Sequence, residues 1–216
     1  MTEVHQGQPV LTAGAELDGA GAAMVMIHGR GATARDILTL APELDQPGWA
    51  FLAPQAAGGT WYPYPFTAPI EQNEPWLSSA LAVVGEVLAR IAGAGIAPER
   101  TVLLGFSQGA CLTLEYAARN ARRYGGVAGL SGGLIGPDGA ERDDRGSFDG
   151  TPVFLGCSDH DPHIPAERVK HAARTLEALG ADVTTVLYRD LDHSVNEDEI
   201  QHVRRIMSRL GALSGA

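Results

Sequence analysis

Cysteine is scarce in this sequence: Cys111 and Cys157 are the only two among 216 residues. They do not form a CxxC pair, which excludes a structural zinc site of that type and a thioredoxin-like redox motif. Reduced, buried thiols in a cytoplasmic protein are the expected state. Basic residues are outnumbered, 16 Lys and Arg against 26 Asp and Glu, for a net charge of -10. Such a chain repels polyanions at long range, so neither nucleic acid nor an anionic membrane surface is expected as a partner. No apolar run approaches the roughly 20 residues of a bilayer span, so no stable membrane insertion is expected. Met1 to His5 lacks the basic-then-apolar build of an export signal, so export is not expected. Internal repeats and charge blocks are missing too.

What remains is ordinary for a globular protein, with 44% hydrophobic and 19% charged residues. The length suits one domain over 1–216, with about the first 20 residues as a lead-in. Six short apolar runs read as strands: 23–27, 49–53, 101–106, 124–130, 151–156 and 183–188. Leu77, Leu81, Val84, Leu88 and Ile91 recur at helical spacing, as do Val169, Ala172, Ala173, Leu176 and Leu179. Ile200, Val203, Ile206, Met207 and Leu210 form a third such face, and 110–116 reads as a further helix. Apolar strands alternating with amphipathic helices predict an α/β protein with a mainly parallel sheet covered on both faces. In such sheets ligands bind beyond the carboxyl ends of the strands, so the residues there carry the chemistry. Two polar stretches break the alternation. Gln55 to Pro75 is rich in aromatics and prolines, and Gly136 to Gly150 reads as a solvent-exposed excursion.

After the third run comes Gly105-Phe106-Ser107-Gln108-Gly109, a G-x-S-x-G pattern between a strand and a helix. That turn raises a serine hydroxyl above the sheet, and Ser107 is the candidate nucleophile. A serine needs a histidine base oriented by a carboxylate. After the fifth run stands Ser158-Asp159-His160-Asp161-Pro162-His163-Ile164-Pro165. Asp161 is preferred, because Pro162 biases it to an extended conformation; Asp159 is second. After the sixth run, His193 sits on a short loop as the candidate base. His5 falls in a frayed lead-in, His171 and His202 fall within helices, and His28 is out of chain order. The Asp159, His160, Asp161, His163 cluster is not expected to bind metal, because its spacing sends His160 to the opposite face. The loop Ile27-His28-Gly29-Arg30-Gly31 is suited to a second oxyanion donor, the backbone N–H of Arg30, beside that of Gln108.

With His28-Gly29-x-Gly31, Gly105-Phe106-Ser107-Gln108-Gly109-Ala110, Asp161-Pro162-x-x-Pro165 and His193 in this order, the sequence resembles the phospholipase/carboxylesterase family of α/β-hydrolases over about residues 20–210. The resemblance implies a single-domain α/β-hydrolase without a large lid. It implies a serine esterase that needs no cofactor and no metal and cleaves a small-molecule ester or thioester through an acyl-enzyme. Ser107, Asp161 and His193 would be its catalytic triad, and the Arg30 and Gln108 N–H groups its oxyanion hole. Lysophospholipase and acyl-protein thioesterase activity are the alternatives within the family. An amidase or peptidase on the same fold, an acyltransferase, and a non-catalytic binding protein are the rivals outside it.

The aromatics Trp61, Tyr62, Tyr64, Phe66 and Trp76 crowd one stretch. Trp61, Tyr64, Phe66 and Trp76 are the candidate substrate-binding residues, and the same patch is a candidate homodimer surface. Arg30 either attracts an anionic substrate group or is merely solvated. Glu71, Gln72, Asn73 and Glu74 read as residues that cap the following helix.

Overall fold

The computed structural model describes residues 3–44 and 46–212. Seven strands form one sheet: β1 (Val10–Gly14), β2 (Ala22–Ile27), β3 (Trp49–Pro54), β4 (Thr101–Phe106), β5 (Gly126–Leu130), β6 (Pro152–Ser158) and β7 (Asp182–Tyr188). Their spatial order is β1-β3-β2-β4-β5-β6-β7. All neighbours run parallel except β1, which lies antiparallel on β3. The helices are α1 (Ala34–Leu38), α2 (Ala41–Leu44), α3 (Trp76–Gly93), α4 (Gln108–Arg119), α5 (Ala166–Ala178) and α6 (Glu197–Ala212).

The period-2 geometry of a strand divides the core in two. Ala23, Val25 and Ile27 of β2 pack on one side with α3, α4 and α5. Ala22, Met24 and Met26 pack on the other with α1, α2 and α6. Both faces are covered, which is why the central strands carry continuous apolar runs.

The six expected strands and four expected helices are present, with ends displaced by a few residues. β1 is an addition inside the supposed lead-in. It is a partly exposed edge strand, so it never builds a continuous apolar run. The short helices α1 and α2 also escaped the periodicity, being too brief to repeat. The frayed N-terminus is a further correction. His5 is buried, its Nδ1 accepting the Ala57 N–H and its Nε2–H donating to the Trp61 carbonyl. The 136–150 stretch is mostly exposed, as expected, but it is anchored at two points. Phe148 is fully buried, and Arg142 donates to the buried Glu115 carboxylate of α4.

Among the described residues one helix meets the length and apolarity of a membrane crossing, contrary to expectation. α3 has 18 residues with a mean hydropathy of 1.4. Its face of Leu77, Ala80, Val83, Val84, Val87 and Ile91 is buried, and it packs on β2, β3 and α4, which accounts for the composition.

Strand order reverses direction at β2, with β3 on one side and β4 on the other. A crevice opens beyond the carboxyl ends of strands at such a switch point. Register pairs Ile27 with Gly105, so the loop after β2 lies directly beside the turn after β4.

Candidate active site

Ser107 stands between the last residue of β4 and the first of α4, with φ 55° and ψ -121°. A non-glycine residue at positive φ is strained, and the surrounding packing holds it there. A Cβ on Gly105 would collide with the Gly109 carbonyl, and a Cβ on Gly109 with the Ile27 carbonyl. Both positions therefore require glycine for close approach rather than for turning. The strained turn aims the Ser107 hydroxyl into the crevice, at the positive end of α4.

The loop between β7 and α6 brings in His193. Its Nε2 lies 2.8 Å from Ser107 Oγ, and its Nδ1 lies 2.7 Å from Asp161 Oδ2. The ring sits between Phe106, with centroids 5.0 Å apart, and His163, edge-on at 4.8 Å. Asp161 follows β6 and its side chain is fully buried. Its Oδ1 accepts the backbone N–H groups of His163 at 2.8 Å and Ile164 at 3.0 Å. Burial pushes this carboxyl up, but the His193 bond and the two backbone donors outweigh it and hold it below the usual range. Asp159, the second candidate, makes no hydrogen bond to His193 among the described residues, and its carboxylate approaches His160 at 4.0 Å.

Such a chain lets the imidazole take the serine proton while the carboxylate fixes its tautomer. The backbone N–H groups of Arg30 and Gln108 have no acceptor among the described residues, and both residues border the same cavity as Ser107. Gly29 lies close enough that a Cβ there would sit 3.3 Å from Ser107 Cβ.

The cavity measures about 470 Å³ and is walled by the 62–66 loop, Cys111, His163 and Ile164. Of the four aromatics expected to line it, Phe66 does. Trp61 lies behind the wall, fully buried, with Nε1–H donating to the His28 carbonyl at 2.9 Å. Tyr64 is 51% exposed and Trp76 is 37% exposed, and neither borders the cavity. Tyr62, Pro63 and Pro65 of the same loop supply the surface beside Phe66.

Relatives bear on this arrangement. The family model for phospholipase/carboxylesterase matches residues 15–210. The chain belongs to the phospholipase/carboxylesterase family. A crystal structure of a phospholipase/carboxylesterase from Dyadobacter fermentans is 46% identical, with a TM-score of 0.90, over 94% of this chain and 97% of that one. The esterase PE8 structure is 24% identical, with a TM-score of 0.77, over 94% and 98% of the two chains, and shares the fold. Acyl-protein thioesterase 1 of Gibberella zeae is 34% identical over 53% of this chain and 50% of that protein. The chain thus spans about half the length of that curated relative.

Within this family member, side chains that read poorly in the sequence fix the wall of the cavity. The Gln108 side chain ties the loop down: Oε1 accepts the Trp61 N–H at 2.8 Å, and Nε2 donates to the Tyr62 carbonyl at 2.8 Å. Arg30 is exposed but tethered, and it faces no carboxylate among the described residues. It donates to the carbonyls of Tyr62, Pro63 and Tyr64 at 2.8, 3.0 and 3.1 Å. Asn73, expected as a helix cap, is buried and instead accepts the Tyr64 N–H and donates to the Pro65 carbonyl. Glu74 does act at the helix start, accepting from the Ser78 N–H and hydroxyl. His28 is structural. Its Nδ1–H donates to the Gly29 carbonyl, Nε2 accepts the Ala56 N–H, and burial lowers its pKa. The wall contacts of Arg30, Gln108 and Asn73 span the fold and are invisible in local spacing.

Proposed function

We propose that this protein is a serine hydrolase of carboxylic esters, thioesters included, working through a Ser107–His193–Asp161 triad and an acyl-enzyme. The observation that carries the reading is the unbroken hydrogen-bond chain from Ser107 Oγ through His193 to Asp161, opening on a cavity. His193 Nε2 takes the hydroxyl proton as Ser107 Oγ attacks the carbonyl carbon. The resulting oxyanion is held by the Arg30 and Gln108 N–H groups, each such donor being worth about 3 kcal/mol of barrier. The tetrahedral intermediate collapses, and the alcohol or thiol leaves with the proton from His193. Water then attacks the acyl-enzyme, giving its proton to His193, and the carboxylic acid departs as Ser107 recovers its own. Asp161 stabilises the imidazolium throughout.

Relatives named acyl-protein thioesterase favour including thioesters among the substrates. Two buried free cysteines suit a reducing compartment such as the cytoplasm. The test is turnover of p-nitrophenyl acetate and a matched thioester by wild type and by Ser107→Ala. A loss of about a thousandfold or more is expected. Retention of activity by the variant removes the proposal.

A further inference from the structure

The cavity is chemically unlike the rest of the molecule. The sequence holds 26 acidic residues against 16 basic ones, yet none of the residues bordering the cavity is Asp or Glu. One is an arginine and two are histidines. Asp161, the carboxylate just behind, is committed to His193 and two backbone N–H groups.

Arg30 is held in an unusual way. Its three hydrogen bonds all run to carbonyl oxygens, which are dipoles and not charges. Among the described residues no carboxylate stands within 4 Å of it. Two of its five N–H donors are left uncommitted. The guanidinium therefore keeps its full positive charge at the cavity rim, in a position fixed before any ligand arrives. His163 borders the same cavity with an exposed ring. Its contact is the edge of His193, and neither ring nitrogen has a hydrogen-bond partner among the described residues.

We infer that the preferred substrates are esters bearing a second, anionic group, a carboxylate or phosphate, on the part that reaches the rim, and that Arg30 and His163 are the residues that select it. The inference rests on the hydrolase reading above and deepens it. A fixed cation with no protein anion beside it attracts negative ligands by Coulomb force. It also spares them the cost of displacing a resident carboxylate. The planar guanidinium and the imidazole N–H both suit anionic oxygens.

The test compares kcat and KM for matched esters. 4-Acetoxybenzoate and 4-acetoxyphenyl phosphate carry an anion on the leaving part, and 4-acetoxybenzamide is their neutral counterpart. Monophenyl adipate carries one on the acyl part, with phenyl hexanoate as its neutral counterpart. At low salt at least one anionic ester should exceed its neutral counterpart tenfold or more in kcat/KM. The difference should lie in KM and shrink severalfold in 0.5 M NaCl. His163→Gln should erode that preference through the KM of the anionic esters, and Arg30→Gln, which also loses the three carbonyl bonds that hold the wall, should slow the anionic esters by a clearly larger factor than the neutral ones. The phosphate and carboxylate arms tell which anion fits better. Equal rates for charged and neutral esters, or variants that slow both alike, overturn the inference and leave the hydrolase reading standing. Failure to hydrolyse any ester strikes that reading and this inference together.

Discussion

Cys157 Sγ lies 3.7 Å from Asp161 Oδ2, the same oxygen that accepts the His193 Nδ1–H. With two backbone N–H groups on Oδ1, the carboxylate is surrounded by four donors. Burial pushes the Cys157 thiol up to about 12, so it keeps its proton and can donate. The second cysteine noted in the sequence thus donates to the carboxylate that the proposed mechanism uses to orient the histidine.

Cys157→Ala should lower kcat/KM by about threefold to tenfold, the worth of one weak hydrogen bond to a charged acceptor of about 1 kcal/mol. Cys157→Ser keeps the donor and should recover most of the loss. Initial-rate kinetics on p-nitrophenyl acetate decide, and equal loss in both variants would refute the donor role.

Gln108→Ala retains the backbone N–H but removes the amide that links the nucleophile turn to the aromatic wall. The buried Trp61 N–H is then left without its acceptor, which costs about 1–3 kcal/mol. The expected result is a lower urea midpoint and a KM raised severalfold by a loosened wall. An unchanged KM would mean that the loop is held adequately by Arg30 and Asn73.

Glu199, in the first turn of α6, is fully buried, and its Oε1 has no hydrogen-bond partner among the described residues. Burial raises its pKa from 4.5 to about 7. Below pH 4.5 the carboxyl is protonated in both folded and unfolded chains and costs nothing. As pH rises from 4.5 to 7 the folded chain holds a proton that the unfolded chain has released, so stability falls. Above pH 7 the deficit stays at about 3 kcal/mol. Glu199→Gln should therefore raise Tm at pH 8 and leave it unchanged at pH 4. A gain of equal size at both pH values would contradict the assignment.

His5→Ala cuts the hydrogen bonds to Trp61 and Ala57 and opens a buried site. The variant should lose about 1–3 kcal/mol in urea unfolding while keeping its activity at 25 °C. No change in stability would return His5 to the frayed terminus expected from sequence.

The architecture was legible because buried parallel strands must be continuously apolar, and runs such as 101–106 have no other use. Ser107, Asp161 and His193 could be picked out as candidates because each follows a strand end, and the structure brings their side chains together. β1 was hidden because an edge strand half in solvent has no such run. Arg30, Gln108 and Asn73 were hidden as wall supports because their partners lie 8 to 48 residues away and are mostly backbone atoms. The aromatic stretch was visible, but its inward face was not, since an irregular loop has no period from which to read one.

The most direct measurement is the site of covalent labelling by a fluorophosphonate. Peptide mass spectrometry should find one adduct, on Ser107, formed rapidly in wild type and at least a hundredfold more slowly in His193→Ala. Labelling elsewhere, or at an undiminished rate without the histidine, would contradict an activated serine at this position.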